Sequence, residues 1–316
     1  MIGAIRVADM PPSDFFTGDG HAPPPLSAAE SAAGRAPADG AESADIPDWL
    51  WPRLKASLQA DAMDTAYRLR ERAPVMLRVN PRRGPVQETL ESLAEDGVSA
   101  APATIAPLAL KVTAGARRVA ASRAYKSGRV ELQDGSSQAA MAALDVPADG
   151  RVLDYCAGGG GKVLALAAAA DATWHAHDAH PRRMKDLPER ARRAGVRVSQ
   201  MATSDLQPRS YDLVLCDVPC SGSGTWRRTP DAKWRLTPAA LAKLVETQRS
   251  ILSQAAGLVA PGGMLAYCTC SIVEEENEAQ VAEFVSDAPR WHVLCERRWP
   301  VSDAGDGFFL SVLIDN

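Results

Sequence analysis

Seven short apolar runs in the second half of the chain constrain its fold more than any other feature. Most of these runs are separated by helical or turn signals. The runs are RVLDYC, TWHAHD, VRVSQM, YDLVLCD, MLAYCT, WHVLCE and FFLSVLID. This alternation is typical of a doubly wound α/β sheet, and near-continuous apolar runs such as DLVLC indicate strands buried on both faces. The last two runs follow each other without a long helix between them, so we expect the sheet to end in an antiparallel hairpin.

The first half divides into an arm and a small module. Residues 1–46 are rich in Ala, Pro, Gly, Ser and acids, which predicts a linker or poorly ordered arm with one short helix. Residues 47–136 then alternate helix and strand signals, which predicts a small ferredoxin-like or RRM-like module ahead of a domain over 137–316. Three helices are predicted for the module: one that starts at Pro47 and Asp48, one over 60–72 and one over 86–97. Its predicted strands cover 75–80, 109–115 and 128–134.

Length and cysteine content limit the classes of protein to which the chain can belong. The 316 residues suffice for two domains and contain no run of eighteen apolar residues, and the N-terminus lacks the pattern of a signal peptide. We therefore expect a cytoplasmic protein that does not span a membrane. The six cysteines have neither a secreted-type framework nor histidines at zinc spacing, which predicts reduced thiols and no metal site. They are Cys156, Cys216, Cys220, Cys268, Cys270 and Cys295.

Charge is unevenly distributed. The net charge of −4 argues by itself against a nucleic-acid binder, but residues 1–50 carry −6 and the remainder +2. Six basic residues and no acid lie between Lys111 and Arg129. Such a cluster can form a phosphate-binding face on an acidic protein, although a solvated surface run explains it equally well.

Glycines and acids follow successive predicted strands. The stretch DYCAGGGGK, residues 154–162, links the first strand to a helix, and Asp178, Asp205 and Asp217 end or follow the next three strands. Ligands of open α/β sheets bind at the carboxyl ends of strands, where acids can accept from ribose hydroxyls and an adenine amino group. A glycine loop alone fits NAD, a nucleotide, S-adenosylmethionine or a bare turn. Its spacing is not GxGxxG, which favours S-adenosylmethionine and disfavours an NAD oxidoreductase.

Two cysteines, Cys220 in DVPC and Cys270 in YCTC, fall just past strand ends on this ligand side. A thiolate that adds to carbon 6 of a pyrimidine makes carbon 5 reactive toward a methyl donor. Asp217 is placed to act as the acid near N3 or O2 of the base, and Lys162 could hold or polarise the base. The residues alone do not say which thiol attacks, and an isolated cysteine at a strand end is more often inert.

Long motifs carry a resemblance to a known family. DVPCSGSGTWRRTPDAKW resembles the fourth motif of the Sun (Fmu-like) family of RNA cytosine-5 methyltransferases. DYCAGGGGK is similar to the family's first motif, D-x-C-A-A-P-G-G-K, TCSIVEEENEAQV to its sixth, and GDGFF to its C-terminal strand signature. The resemblance covers roughly 137–316 and is greatest to the branch that methylates small-subunit ribosomal RNA, methyltransferase B. Residues 47–136 resemble that branch's small RRM-like subdomain.

The resemblance implies a class I, Rossmann-like methyltransferase sheet and specific roles for its residues. It makes Cys270 the nucleophile and associates Cys220 with breaking the covalent adduct, with Asp217 and Lys162 beside them. It implies S-adenosylmethionine as cofactor and RNA as partner, ribosomal RNA first and transfer RNA second, with no metal and a monomeric protein. The cofactor residues that it implies are Cys156, Ala157, Gly158, Gly159, Gly160, Gly161, Lys162, Asp178, Arg183, Asp205 and Asp217.

The chain also departs from the family pattern. Gly158 and Gly159 replace Ala and Pro, so the loop is expected to be less rigid and cofactor affinity weaker. Methyltransferase B proteins carry a helical NusB-like RNA-binding domain where this chain has the Pro/Ala-rich arm. The chain could therefore be a truncated form, or the RRM-like module could select the RNA. An RNA-binding assembly factor with weak or lost methyl transfer is the alternative function.

Basic residues near the motifs are predicted to contact RNA phosphates, and the target base must leave its stack to reach a thiol. Of two nearby tryptophans, Trp226 and Trp234, we expect packing rather than base stacking. The acids at 274–276 and Asn277 are predicted to begin a helix, with most needing no catalytic role. The predicted phosphate contacts are Arg227, Arg228 and Lys233 after Cys220, and Arg117, Arg118, Arg123 and Lys126 in the module.

Overall fold

The structure, a computed structural model, describes residues 11–33 and 36–315. The α-helices of this part are α1 (Ala28–Ala33), α2 (Ala41–Ala44), α3 (Trp51–Leu58), α4 (Ala62–Arg68), α5 (Val86–Glu95), α6 (Arg123–Lys126), α7 (Gly135–Ala142), α8 (Gly161–Ala169), α9 (Leu187–Ala194), α10 (Ala232–Arg235), α11 (Pro238–Ala256) and α12 (Glu278–Asp287). The strands are β1 (Met76–Val79), β2 (Ser99–Pro102), β3 (Ala109–Ala114), β4 (Val130–Leu132), β5 (Arg151–Asp154), β6 (Thr173–Ala176), β7 (Ser199–Gln200), β8 (Tyr211–Asp217), β9 (Val259–Thr269), β10 (Trp291–Trp299) and β11 (Phe308–Asp315).

One compact unit of the chain ends at Pro52, and a second begins at Arg53. The first unit contains α1 and α2 where the composition predicts one short helix, and Phe16, Ala44 and Ile46 are buried. The helix expected from Pro47 begins later, at Trp51, with Pro52 in its first turn, a position that proline tolerates because the first amides of a helix need no partner. The helix expected over 60–72 is α4.

The small module is a four-stranded antiparallel sheet in the order β2-β3-β1-β4. With α5 after β1 and α6 before β4, this is the ferredoxin-like βαββαβ arrangement. Leu77 of β1 pairs with Leu110 of β3 and with Leu132 of β4. Leu93 of α5 packs into the same buried cluster as Leu77 and Leu110, so the helix covers one face of the sheet.

Strand β2 is the element of the module that the sequence does not predict. Its sequence, SAAP, holds no large apolar residue, and none of its residues is fully buried. It is an edge strand and pairs only with β3, so its position depends on main-chain hydrogen bonds to its neighbour and not on a local apolar pattern.

The large sheet has seven strands in the order β10-β11-β9-β8-β5-β6-β7. Strands β5 to β9 are parallel, whereas β10 and β11 form the antiparallel end that the absence of a connecting helix predicts. Helices α8 and α9 pack on one face, where Leu164 and Leu187 join the strand residue Val152. Helices α11 and α12 pack on the other, where Leu252 and Val281 join Val214. The predicted doubly wound sheet with a small module is therefore confirmed.

The parallel direction of five strands brings their carboxyl ends to one edge. That edge carries Asp154 from β5, Asp217 from β8 and Thr269 from β9, with the loops that follow each strand. The connections from β5, β8 and β9 lie there because every crossover must leave a parallel sheet from the carboxyl end. In the part of the chain that the structure describes, no helix is both long and apolar enough to cross a membrane.

Candidate active site

Two thiols meet at this edge. The Sγ atoms of Cys220 and Cys270 lie 3.4 Å apart, and both residues are partly exposed. Main-chain hydrogen bonds hold their loops together, from the amide of Val218 to the carbonyl of Cys268 (3.1 Å) and from the amide of Gly224 to the carbonyl of Cys270 (2.9 Å). The structure thus brings together two residues that are fifty positions apart in the chain.

The surroundings of Cys220 change the acidity of its thiol. The pKa of Cys220 is raised well above its ordinary value, first by its hydrogen bond to Cys270 and next by burial. The negative charges of Cys270 and Glu276 add to this increase. A raised thiol pKa keeps the proton on sulfur. Cys220 is therefore held as a thiol, within hydrogen-bonding distance of the Cys270 sulfur.

Glu276 joins the two cysteine loops, a role that the sequence did not reveal. Its carboxylate is fully buried. One oxygen accepts from the amide of Ser221 (2.7 Å) and from the side-chain amide of Gln248 (3.0 Å), and the other accepts from the hydroxyls of Ser221 and Ser271. Ser221 follows Cys220 and Ser271 follows Cys270, so one carboxylate sets the position of both loops. The acids at 274–276 form a 3₁₀ turn ahead of α12, which begins at Glu278.

Asp217 and Lys162 form an ion pair beside the thiols, with Nζ 2.6 Å from Oδ2. Burial by itself lowers the pKa of Lys162, but the charge and hydrogen bond of Asp217, together with Cys268 and Cys270, outweigh burial and raise the pKa above its ordinary value. Lys162 thus stays charged. Asp154 is deeply buried behind the pair, and burial followed by repulsion from Asp217 raises its pKa to about 7.

The glycine loop is tied to the end of β6. The carboxylate of Asp178 is buried and accepts from the amides of Gly158 (2.9 Å) and His180 (2.8 Å), with Arg183 at 3.4 Å. Gly160 has a φ of +79°, and a Cβ there would lie 2.3 Å from Leu187 Cδ1, so only glycine fits.

The remaining cofactor candidates lie along the same edge. Asp205 is exposed at the end of a 3₁₀ turn, Thr203–Asp205, and the Arg183 side chain is also exposed. The Cys156 thiol is held unreactive, because burial first and the Asp154 charge second raise its pKa far above its ordinary value.

These residues fit a cationic nucleoside cofactor. A Cβ on Gly161 would meet nothing within 4 Å, so the start of α8 is open to a ligand. The buried Oδ1 atom of Asp154 has no hydrogen-bond partner. Asp178, Asp205 and Asp217 add carboxylates around the loop, which suits a ligand with hydroxyls, an amino group and positive charge.

The basic residues predicted to contact RNA fall into two groups. Arg227 is buried, and its guanidinium pairs with Asp306 (2.6 Å) and donates to the carbonyls of Ser302 and Gly305. A phosphate contact is therefore not supported for Arg227, which instead ties its turn to the GDGFF segment. Lys233 is also buried.

Arg228 is partly exposed although it pairs with Asp134 and Asp306. Arg117 and Arg118 are exposed, as is Arg123, which pairs with Glu95 and Asp96. Lys126 is exposed too. Trp226 is buried as packing predicts, whereas Trp234 is 55% exposed. Across residues 11–33 and 36–315, no three His, Cys, Asp or Glu side chains are grouped to hold a metal ion.

Family models match two segments of the chain. Residues 141–314 match the model described as 16S rRNA methyltransferase RsmB/F. Residues 46–118 match the ferredoxin-like domain of RsmF/B-like methyltransferases.

Curated relatives agree with these matches. The ribosomal RNA small subunit methyltransferase B of Klebsiella pneumoniae is 32% identical over 283 residues, which cover 85% of this chain and 65% of that protein. The probable ribosomal RNA small subunit methyltransferase B of Bacillus subtilis is 32% identical over 266 residues, which cover 80% and 59%. The chain therefore spans less than two thirds of the length of these relatives.

Solved structures share the fold. The crystal structure of PH0851 superposes with a TM-score of 0.82 at 29% identity, covering 90% of this chain and 70% of that one. The structure of NSun6 from Pyrococcus horikoshii with SFG superposes with a TM-score of 0.73 at 17% identity, covering 85% and 98%. At 17% identity the second likeness concerns the fold alone.

Proposed function

Because the chain belongs to the RsmB/F family of 16S rRNA methyltransferases, we propose that it methylates carbon 5 of a cytosine in RNA, and that small-subunit ribosomal RNA is the substrate. The observation that carries this proposal is the pair of thiols 3.4 Å apart, beside the ion pair of Asp217 and Lys162. N- and O-methylation need no sulfur nucleophile, whereas carbon 5 of a pyrimidine needs one to become reactive.

The first step is addition to the base. The Cys270 thiolate bonds to carbon 6 of the cytosine, the electron pair of the 5,6 double bond forms a 4,5 double bond, and the displaced N3–C4 pair takes up a proton at N3 that the Asp217 carboxylate relays from solvent. Lys162 holds the O2 side of the base and loses no proton, because its pKa is raised. Carbon 5 is then enamine-like and can take a methyl group.

The second step is release. The proton on carbon 5 must leave, the 5,6 double bond forms again, and the Cys270 sulfur departs with the electron pair of the carbon–sulfur bond. Cys220 suits this step because two of the causes that raise its pKa depend on Cys270. They are the hydrogen bond to Cys270, which is the largest cause, and the Cys270 charge, which is smaller. Both influences are lost once Cys270 is a thioether, while burial and the Glu276 charge remain. The Cys220 pKa then falls, the thiol gives its proton to solvent, and the resulting thiolate takes the proton from carbon 5.

The cofactor is S-adenosylmethionine, which supplies an electrophilic methyl group when bound. Asp178 and Asp205 would accept from its ribose and adenine, and Arg183 lies beside Asp178. The loop Cys156–Lys162 would surround its charged portion, and acids at this edge favour a sulfonium. These assignments rest on the carboxyl-edge position of the residues and on the open space at Gly161.

We assign RNA binding to the module over 47–136 and catalysis to 137–316. Arg117, Arg118 and Arg228 are exposed enough to reach phosphates, and such contacts position an RNA without reading its sequence. A base must turn out of its stack to reach thiols that are only partly exposed.

The test is methyl transfer from labelled S-adenosylmethionine to deproteinised small-subunit ribosomal RNA, followed by bisulfite sequencing. One protected cytosine supports the reaction, the substrate class and the position together. Transfer to transfer RNA and not to ribosomal RNA would keep the chemistry and change the substrate. Calorimetric titration separates the remaining alternative, because an assembly factor without transferase activity would bind RNA and no S-adenosylmethionine.

A further inference from the structure

The glycine loop is held by side chains from outside it. Arg78, on β1 of the ferredoxin-like module, donates to the carbonyl of Gly161 at 2.9 Å. Arg190, on α9, donates to the carbonyl of Gly159. The loop at 158–161 is thus fixed at two carbonyls, one of them through a residue of the small module.

Both arginines are themselves held in place. Arg190 pairs with Glu131 of β4 at 3.0 Å, and Glu131 is buried. Arg78 is also buried, and its guanidinium donates to the side chain of Gln133. Burial lowers the pKa of Arg78 to about 10 although Glu131 opposes the change, so Arg78 remains a cation at neutral pH. Charged donors make stronger hydrogen bonds to carbonyls than neutral donors do.

Arg190 lies beside the loop position at which the family motif has a proline. The family motif carries Pro at the position of Gly159, and a Cβ on Gly159 would lie 2.9 Å from Arg190 Nη1. A larger residue there would press on the end of the Arg190 side chain. Gly159 therefore leaves room for the Arg190 guanidinium beside the loop.

We propose that Arg78 and Arg190 are positioning residues for the cofactor, holding the Gly158–Gly159 loop in its binding conformation by hydrogen bonds. They replace the chain stiffness that Ala and Pro provide in the family motif. This inference rests on the proposed function, in that the loop binds S-adenosylmethionine. It predicts that the glycine substitutions do not weaken cofactor affinity while the arginines are present.

Other arginines join the module to the large sheet without contacting the loop, which supplies controls. Arg193 pairs with the same Glu131 as Arg190 does. Arg82 donates to the carbonyls of Ala167 and Ala170, beyond the loop. A loss of affinity that came only from loosened packing of the two parts would follow from substituting Arg193 or Arg82 as well.

The experiment is calorimetric titration of S-adenosylmethionine into the full chain, the Arg190→Gln variant and the matched Arg193→Gln variant. Arg190→Gln removes one charge-assisted hydrogen bond and should weaken binding roughly tenfold, while Arg193→Gln should change it less than about twofold. Gly159→Ala, at a position whose φ is not positive, should recover affinity in the Arg190→Gln background, because a Cβ reduces the freedom of the unbound loop.

Hydrogen exchange of the loop amides without any ligand gives a second measurement. Exchange at 158–162 should be faster in Arg190→Gln than in Arg193→Gln. Equal affinities for all variants, equal losses in both arginine variants, or no recovery by Gly159→Ala in the Arg190→Gln background would each overturn the proposal. If the unsubstituted chain takes up no S-adenosylmethionine, the proposed function falls and this inference with it. If that chain binds and Arg190→Gln binds equally well, this inference alone falls.

Discussion

Glu276 offers the sharpest test of how the two cysteine loops are held. In Glu276→Ala, the amide of Ser221 and the side-chain amide of Gln248 lose the carboxylate that accepts from them. Each unsatisfied buried donor costs about 1–3 kcal/mol, so the free energy of unfolding should fall by about 2–6 kcal/mol. Gln248 also donates to the carbonyl of Pro219 at 2.9 Å, which favours the lower half of that range.

Glu276→Gln separates charge from shape. Its amide oxygen can accept from the same two donors, and its NH₂ group can donate to the two serine hydroxyls, which rotate. We expect a loss of about 1–2 kcal/mol, the difference between a charged and a neutral acceptor. The exposed neighbour Glu274 is the matched control, and Glu274→Gln should stay within about 0.5 kcal/mol. Urea denaturation measures all three variants.

The Glu276→Gln variant should also change Cys220. The ionisable groups that face the Cys220 thiol are Cys270, Glu276 and the phenol of Tyr267. Removing the Glu276 charge lowers the Cys220 pKa, so alkylation of Cys220 by iodoacetamide should begin at lower pH than in the unsubstituted chain. An unchanged alkylation profile in Glu276→Gln, or equal stability of Glu276→Ala and Glu274→Gln, would refute the reasoning.

Three further outcomes test the chemistry and its surroundings. Cys270→Ala should reduce methyl transfer by more than about a thousandfold while S-adenosylmethionine still binds in calorimetry; Cys295→Ala, on β10, is the matched control and should retain activity. Cys220→Ala should accumulate a covalent protein–RNA adduct, seen as a slow band on a denaturing gel, and its absence while Cys270 is intact contradicts the release role. The folded pKa of Asp154 is raised from 3.8 to about 7, so its contribution to stability is present below about pH 4 and is lost as pH rises through 7. Urea denaturation across pH 4–8 should show this decline in the unsubstituted chain and not in Asp154→Asn, and identical slopes would argue against the buried acid.

Much of the fold was accessible from local patterns. The apolar runs predict the strands of the large sheet and its antiparallel end because a strand buried on both faces must be apolar throughout its length. β8 shows this in the sequence YDLVLCD, whose five central residues include four that are buried. The carboxyl-edge positions of Asp154 and Asp217 follow from strand direction alone. β2 and the start of α3 were not predicted, because their sequences lack a regular apolar period and their positions depend on contacts with neighbouring elements.

The sequence by itself therefore determined the sheet, the edge that carries the loops, and the residue types available there. Only the tertiary structure decided which side chains meet. It placed Arg227 against Asp306 and not at the surface, made Glu276 the acceptor for both cysteine loops, and set Arg190 against Gly159. The physical reason is range: strand and helix periods are properties of neighbouring residues, whereas the partner of a buried charge lies tens of residues away and is chosen by packing. A charge looks the same in the sequence whether it reaches solvent or a buried partner.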